Sequence, residues 1–125
     1  MKSVQRVILL SIMAVLVIAC GCKDNKKVED QLQEQCGKKC EEFFTKSYDK
    51  KYAGFYVSHY NKKLNKCFMM LYNPITKRKI LFDVNESNLH GLFTPDGVSC
   101  YVYEKKCNPK TEKEWDLLVK PYLEE

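Results

Sequence analysis

The sequence predicts an α+β domain: an N-terminal helix, an antiparallel β-meander of four to five strands and a C-terminal helix, with both helices on one face of the sheet. Three observations predict it. Apolar residues recur every three or four positions from about Lys26 to Lys50, alternate with a period of two between Phe55 and Tyr103, and return to helical spacing after Thr111. The chain has 125 residues, room for one domain, and its 45% hydrophobic and 12% aromatic content excludes a disordered chain. Five glycines and four prolines exclude a collagen-like or linker-like composition.

In the first helix Val28, Leu32, Cys36, Cys40, Phe43, Phe44 and Tyr48 form one apolar stripe. Glu29 and Asp30 near its start and Lys50 and Lys51 near its end complement the helix dipole, and Gly54 marks the stop. Phe55–Tyr60 is the first strand, Asn61–Asn65 a turn and Cys67–Tyr72 the second strand. Asn73-Pro74 breaks the chain before a third strand, Lys79–Val84, with Ile80, Phe82 and Val84 on one face. Leu89–Phe93 is the fourth, closed by the turn signature Thr94-Pro-Asp-Gly97. Val98–Tyr103 is the fifth, with Val98, Cys100 and Val102 on one face. Thr111-Glu-Lys-Glu114 is a capping box that opens the last helix, whose Trp115, Leu118, Val119 and Tyr122 face the core. Pro121 should end or bend that helix.

The first nineteen residues read as an address. Lys2 and Arg6 precede a continuous apolar run, Val7–Ala19, with no polar face. Its thirteen residues span roughly 20 Å as a helix, short of the roughly 30 Å hydrocarbon core of a bilayer. Val17-Ile18-Ala19-Cys20 then resembles the lipobox of bacterial lipoproteins, with Val17 and Ile18 where Leu and a small residue are commoner. The resemblance implies cleavage after Ala19, lipid attachment at the Cys20 thiol and acylation of the new N-terminus. Cys22 is a rival anchor in a poorer context, Ala19-Cys20-Gly21. Two or more acyl chains make such an anchor effectively permanent. Gly21 stands where an Asp would retain a Gram-negative lipoprotein in the inner membrane, so the resemblance implies the outer membrane, facing the periplasm, in such a host. The expected organisation is a signal peptide over 1–19, a lipidated N-terminus and polar tether over 20–27, and one small domain over 28–125. Cleavage removes Lys2 and Arg6 and takes the formal charge from +5 to +3.

In an exported protein the remaining cysteines, Cys22, Cys36, Cys40, Cys67, Cys100 and Cys107, are first read as a disulfide framework. Cys36 and Cys40 are four apart on one helix face, with Cβ atoms roughly 5–6 Å apart where a disulfide wants about 3.8 Å. They should not join each other, and one of them should reach Cys67, Cys100 or Cys107. Of the fifteen ways to pair six cysteines, Cys36–Cys67 and Cys100–Cys107 are favoured, with Cys40 and Cys22 left open. Cys36-Gly-Lys-Lys-Cys40 is one residue too long for a thiol-disulfide redox motif, and no histidine sits at ligand spacing for zinc. No metal and no cofactor is expected.

The chain has no nucleophile elbow, no His-Glu-x-x-His and no phosphate-cradling loop, so no catalytic residue is assigned and an enzyme is not expected. His59 and His90 are isolated, and Asp83 with Glu86 reads as two solvated acids at a turn. Export argues against nucleic acid as a partner of the basic, aromatic stretch Lys50–Lys66. Its Tyr56 and Tyr60, with Tyr72, Lys62, Lys63 and Lys66, are instead a candidate face for an envelope protein, an anionic glycan or a lipid head group. The plainer reading is a solvated sheet face with lysines that discourage edge pairing. The expected function is a lipid-anchored envelope protein that binds or inhibits another envelope component. The alternatives are an accessory subunit of an envelope assembly or a thiol-disulfide exchange protein.

Overall fold

The computed structural model describes residues 2–48, 51–52, 54–108 and 110–124, with side chains described from residue 25 onward. Cys20, Cys22 and the apolar run therefore lie outside the described side chains. Helix α1 spans Lys2–Ser47 and continues through residues 20–27, where the sequence pattern predicts a tether. Contacts divide the chain into two compact units, Met1–Leu32 and Gln33–Glu125. The first is helical in its described residues. The second holds the last turns of α1, six strands and helix α2.

The strands are β1 (Phe55–Asn61), β2 (Lys66–Tyr72), β3 (Lys79–Asp83), β4 (Asn88–Phe93), β5 (Cys100–Val102) and β6 (Lys105–Lys106), and α2 is Glu112–Leu123. They form one antiparallel meander in sequence order. The sheet thus has six strands rather than four to five. The extra one is the two-residue β6, too short to show a period in sequence.

The two helices pack on opposite faces of this sheet, not on one. Strand parity shows it: Cys67 and Met69 join Cys36, Cys40, Phe43 and Phe44 of α1 in one core cluster. Their neighbours Phe68 and Met70 join Trp115, Leu118, Val119 and Tyr122 of α2 in the other. Along β2 the residues Cys67, Phe68, Met69 and Leu71 are all buried. A strand covered on both sides reads as an unbroken apolar run rather than an alternation. Cys67-Phe-Met-Met-Leu-Tyr72 is such a run, which the expectation of a single covered face does not account for.

Local chemistry sets the connections. Asn73 Oδ1 accepts from the amides of Ile75 and Thr76, an Asx turn that ends β2. Thr94 binds both ends of the turn before β5, with Gly97 at φ 73° where only glycine is unstrained. That turn takes in Val98, which is exposed rather than on the inner face expected for it. At a bulge between β3 and β4, a Cβ on Gly91 would stand 3.1 Å from the Tyr101 carbonyl oxygen and 3.2 Å from Val102 Cγ2. Thr111 caps α2 by accepting from the Glu114 amide, as the capping box predicts, and Trp115 Nε1 donates to the Tyr101 carbonyl. Lys79 holds β3 to the same helix end, 2.8 Å from Glu112 and 2.7 Å from Asp116.

Two amides manage the sheet's open edge and the far end of α2. The Gln33 side chain accepts from the Tyr60 amide and donates to the Ser58 carbonyl, so α1 occupies the outer edge of β1 as a neighbouring strand would. Asn61 is fully buried, and its Nδ2 donates to the Pro121 and Tyr122 carbonyls while its Oδ1 accepts from the Leu64 amide. This explains how α2 runs two residues past Pro121: the carbonyls at its end find a buried donor. Replacing Asn61 with Leu keeps the branched outline of the side chain and strands those groups, so urea unfolding should show a loss of about 2–3 kcal/mol. Asn88→Ala, at an exposed site, should stay within about 0.5 kcal/mol. Equal effects from the two changes would show that Asn61 does not anchor the helix end.

Candidate functional site

A cavity of about 440 Å³ opens on the α2 face of the sheet, walled by residues from β2, β3, β4, the β5–β6 turn and α2. That volume falls in the range of small-ligand pockets. Its apolar wall is aromatic. The His90 ring stacks on Tyr103, with centroids 5.2 Å apart and planes 17° apart, and meets Tyr122 edge-on at 4.7 Å and Phe68 at 5.3 Å. Tyr103 sits at φ 55°, a left-handed conformation that is uncommon and costly for an aromatic residue. The β5–β6 hairpin spends that strain in placing the Tyr103 ring over His90, and the Tyr103 amide donates to the His90 carbonyl.

The polar wall is a chain of charges. Lys66 Nζ lies 2.6 Å from Asp83 Oδ2 and 2.7 Å from Glu86 Oε1. Asp83 is 1% exposed, and its other oxygen accepts from the Glu86 amide, so the turn after β3 folds around this carboxylate. Hydrogen bonds from Lys66 to Asp83 and Glu86 hold its pKa well above the usual lysine range. Burial pushes the His90 pKa down, against the nearby Asp83 and Glu86 carboxylates and together with Lys66. The imidazole is therefore neutral at neutral pH. Its Nε2 is buried and makes no hydrogen bond, a state shared among the described residues with His59 Nε2.

Three cysteines, Cys36, Cys40 and Cys67, make a second constellation on the α1 face, while Cys100 and Cys107 sit in the core on the α2 side. Cys36 and Cys67 are bonded, as are Cys100 and Cys107. These are the two pairs favoured from spacing and compartment. The first closes a separation of 31 residues and staples α1 to β2; the second closes seven and fastens β6 to β5. On the chain-entropy account they contribute about 3.7 and about 2.4 kcal/mol. Cys40 is a buried free thiol with its sulfur 3.6 Å from Cys67 Sγ. Burial pushes its pKa up to about 11, so it stays protonated and weakly nucleophilic.

The face proposed from tyrosine and lysine positions is not assembled. Tyr56 and Tyr60 lie on the α1 side, packed against that core cluster. Tyr72 pairs with Phe55 and Lys79, whose side chains share the opposite face. Strand parity separates them, since Tyr56 and Leu71 are partners and Tyr72 is one residue on. Only Lys66 of that set lines the cavity. Asp83 and Glu86, read as solvated acids, become its polar wall because Lys66 lies across the β2–β3 pair from them. His90 and the Tyr103 and Tyr122 rings converge from three separate elements, a nearness that no local spacing encodes.

Unfolded, His90 takes up a proton as pH falls through about 6.5; folded, burial delays this to lower pH. The unfolded chain then binds more protons below about 6.5, so stability should fall on acidification there. His90→Phe keeps a ring in the stack without a titrating group, and its Tm should change less than the parent's between about pH 7 and pH 5. Parallel curves would place the acid sensitivity elsewhere. No protein-family model matches this chain, nor does any curated protein or solved structure.

Proposed function

We propose that this chain is an exported bacterial lipoprotein, anchored through Cys20, whose disulfide-bonded domain binds another component of the cell envelope in the cavity around His90. One observation supports binding above other tasks: the charged groups of the cavity are already committed to one another. The Lys66 ammonium is held between Asp83 and Glu86, and the neutral His90 is stacked among Phe68, Tyr103 and Tyr122. A general base or a nucleophile needs a group free to take a proton or attack, which the paired Lys66, Asp83 and Glu86 are not, and the unpartnered His90 Nε2 is left as a buried polar atom for a ligand to hydrogen-bond. Here the aromatic rings offer a flat apolar wall and the Asp83–Lys66–Glu86 chain a polar one. That combination suits a ligand with an apolar face and hydroxyl groups, such as a sugar ring of an envelope glycan. The two bridges fit an oxidising compartment, where such bonds persist.

The anchor and the binding site are tested together in cells making the full chain. Intact mass spectrometry of the membrane-extracted protein should give a chain beginning at Cys20, carrying acyl groups and two intact bridges. A photo-crosslinking residue in place of Leu89, half exposed at the cavity rim, should trap a discrete envelope adduct that Tyr103→Ala abolishes. A chain that starts at Met1 without lipid overturns the anchor. A single stoichiometric protein adduct favours the accessory-subunit reading, and an adduct indifferent to Tyr103 removes the cavity as the binding site.

A further inference from the structure

The cluster formed by Cys36, Cys40 and Cys67 has no part in the binding cavity, which lies on the other face of the sheet. All three side chains are buried, and their sulfurs lie within 4.8 Å of one another. Two chemistries are open to three such sulfurs: exchange of the disulfide with the third thiol, or shared coordination of a metal ion.

The triangle decides between them. Displacement needs the attacking sulfur in line with the bond that breaks. A disulfide bond of about 2.05 Å, a Cys40–Cys67 distance of 3.6 Å and a third side of at most 4.8 Å leave an angle at Cys67 of no more than about 115°. Cys40 thus approaches the Cys36–Cys67 bond from the side, and as a protonated thiol it is a poor attacker. The same triangle is close to what a metal needs. An ion about 2.3 Å from each of three sulfurs, the usual metal–thiolate length, spaces them about 4.0 Å apart. Cys40 and Cys67 are already at 3.6 Å and the third side is at most 4.8 Å, so the chief change is that the bonded pair parts.

We propose that, once the Cys36–Cys67 bond is reduced, Cys36, Cys40 and Cys67 form a three-sulfur site for a soft thiophilic ion of the Cu(I) class. A dithiol supplies the two electrons and two protons that open the bond and is itself closed to a disulfide; Cu(I) then displaces thiol protons to the solvent. Donor number and softness select the ion. Structural zinc takes four ligands, and among the described residues no fourth Cys, His, Asp or Glu joins the three. Soft thiolates favour Cu(I). Position supports the same site: Cys36 and Cys40 present sulfurs from successive turns of α1, and Cys67 meets them from β2. Disulfide and metal compete for two of the sulfurs, so the site is closed when oxidised and open when reduced.

The test uses the full chain, reduced without oxygen by a phosphine that is then removed by desalting, since phosphines themselves bind Cu(I), and loaded with one equivalent of Cu(I). X-ray absorption should report three sulfurs at about 2.3 Å in the parent. Cys40→Ala should lose one sulfur, whereas Cys22→Ser and Cys107→Ala should keep all three. Circular dichroism with and without Cu(I) shows whether each chain is folded, and where reduction loosens the fold, Cu(I) should restore it in the parent and not in Cys40→Ala. Two sulfurs in the parent, an unchanged coordination in Cys40→Ala, equal loading of the unreduced chain, or a reduced parent that Cu(I) leaves unfolded would each overturn the site.

Discussion

Strand β2 is the constraint on which the rest of this domain depends. It is buried on both faces, so each of its residues must satisfy a different layer. Phe68 anchors the α2 side, and Cys67 and Met69 anchor the α1 side. A sheet only six strands wide, its last two strands short, has little apolar area to share between two layers. The covalent tie from Cys67 to Cys36 offsets that shortage where α1 meets the sheet, and the Cys100–Cys107 tie does so at the weakest edge. Side-chain amides and charges complete the assembly at the layer boundaries: the buried Asn61 at the end of α2, the half-buried Lys79 at its start and the exposed Gln33 along β1.

The polar side of the domain follows the same economy. Asp83 is almost wholly buried, which is costly for a carboxylate without a partner. Lys66 supplies the charge and the Glu86 amide a second hydrogen bond, so one residue at the end of β3 organises the turn, the neighbouring strand and one wall of the cavity. Its opposite wall depends on Tyr103 in a backbone conformation that aromatic residues avoid. Strain of that kind persists where surrounding contacts over-determine it, here the stack on His90 and the hairpin that closes on Cys107.

The two faces of the sheet thus divide the chemistry. The α2 face gathers aromatic rings and a satisfied charge chain around an open volume suited to recognition. The α1 face gathers three sulfurs in a closed space from which solvent and ionised thiols are excluded. β2 contributes to both, through Phe68 and Lys66 on one side and Cys67 on the other.

Much of the architecture was legible in residue order because it rests on local physics. The capping box at Thr111, the Asx turn at Asn73 and the Thr94–Gly97 turn are short-range hydrogen-bond patterns, and the strand positions follow from a period of two. Helical spacing forbids a Cys36–Cys40 bond, but it does not choose the partner of Cys36, and the short β6 that brings Cys107 beside Cys100 has no period in the sequence. Residue order could not assign the faces. An apolar run such as Cys67–Leu71 signals burial on both sides, but which helix covers which side is decided by packing across the sheet. The cavity belongs to the same class of fact: Lys66, Asp83, His90, Tyr103 and Tyr122 span most of the domain, and only strand register and the path of α2 bring them together. The third sulfur beside the Cys36–Cys67 bridge is likewise a tertiary result, because a buried neighbour across two layers leaves no periodic trace in the chain.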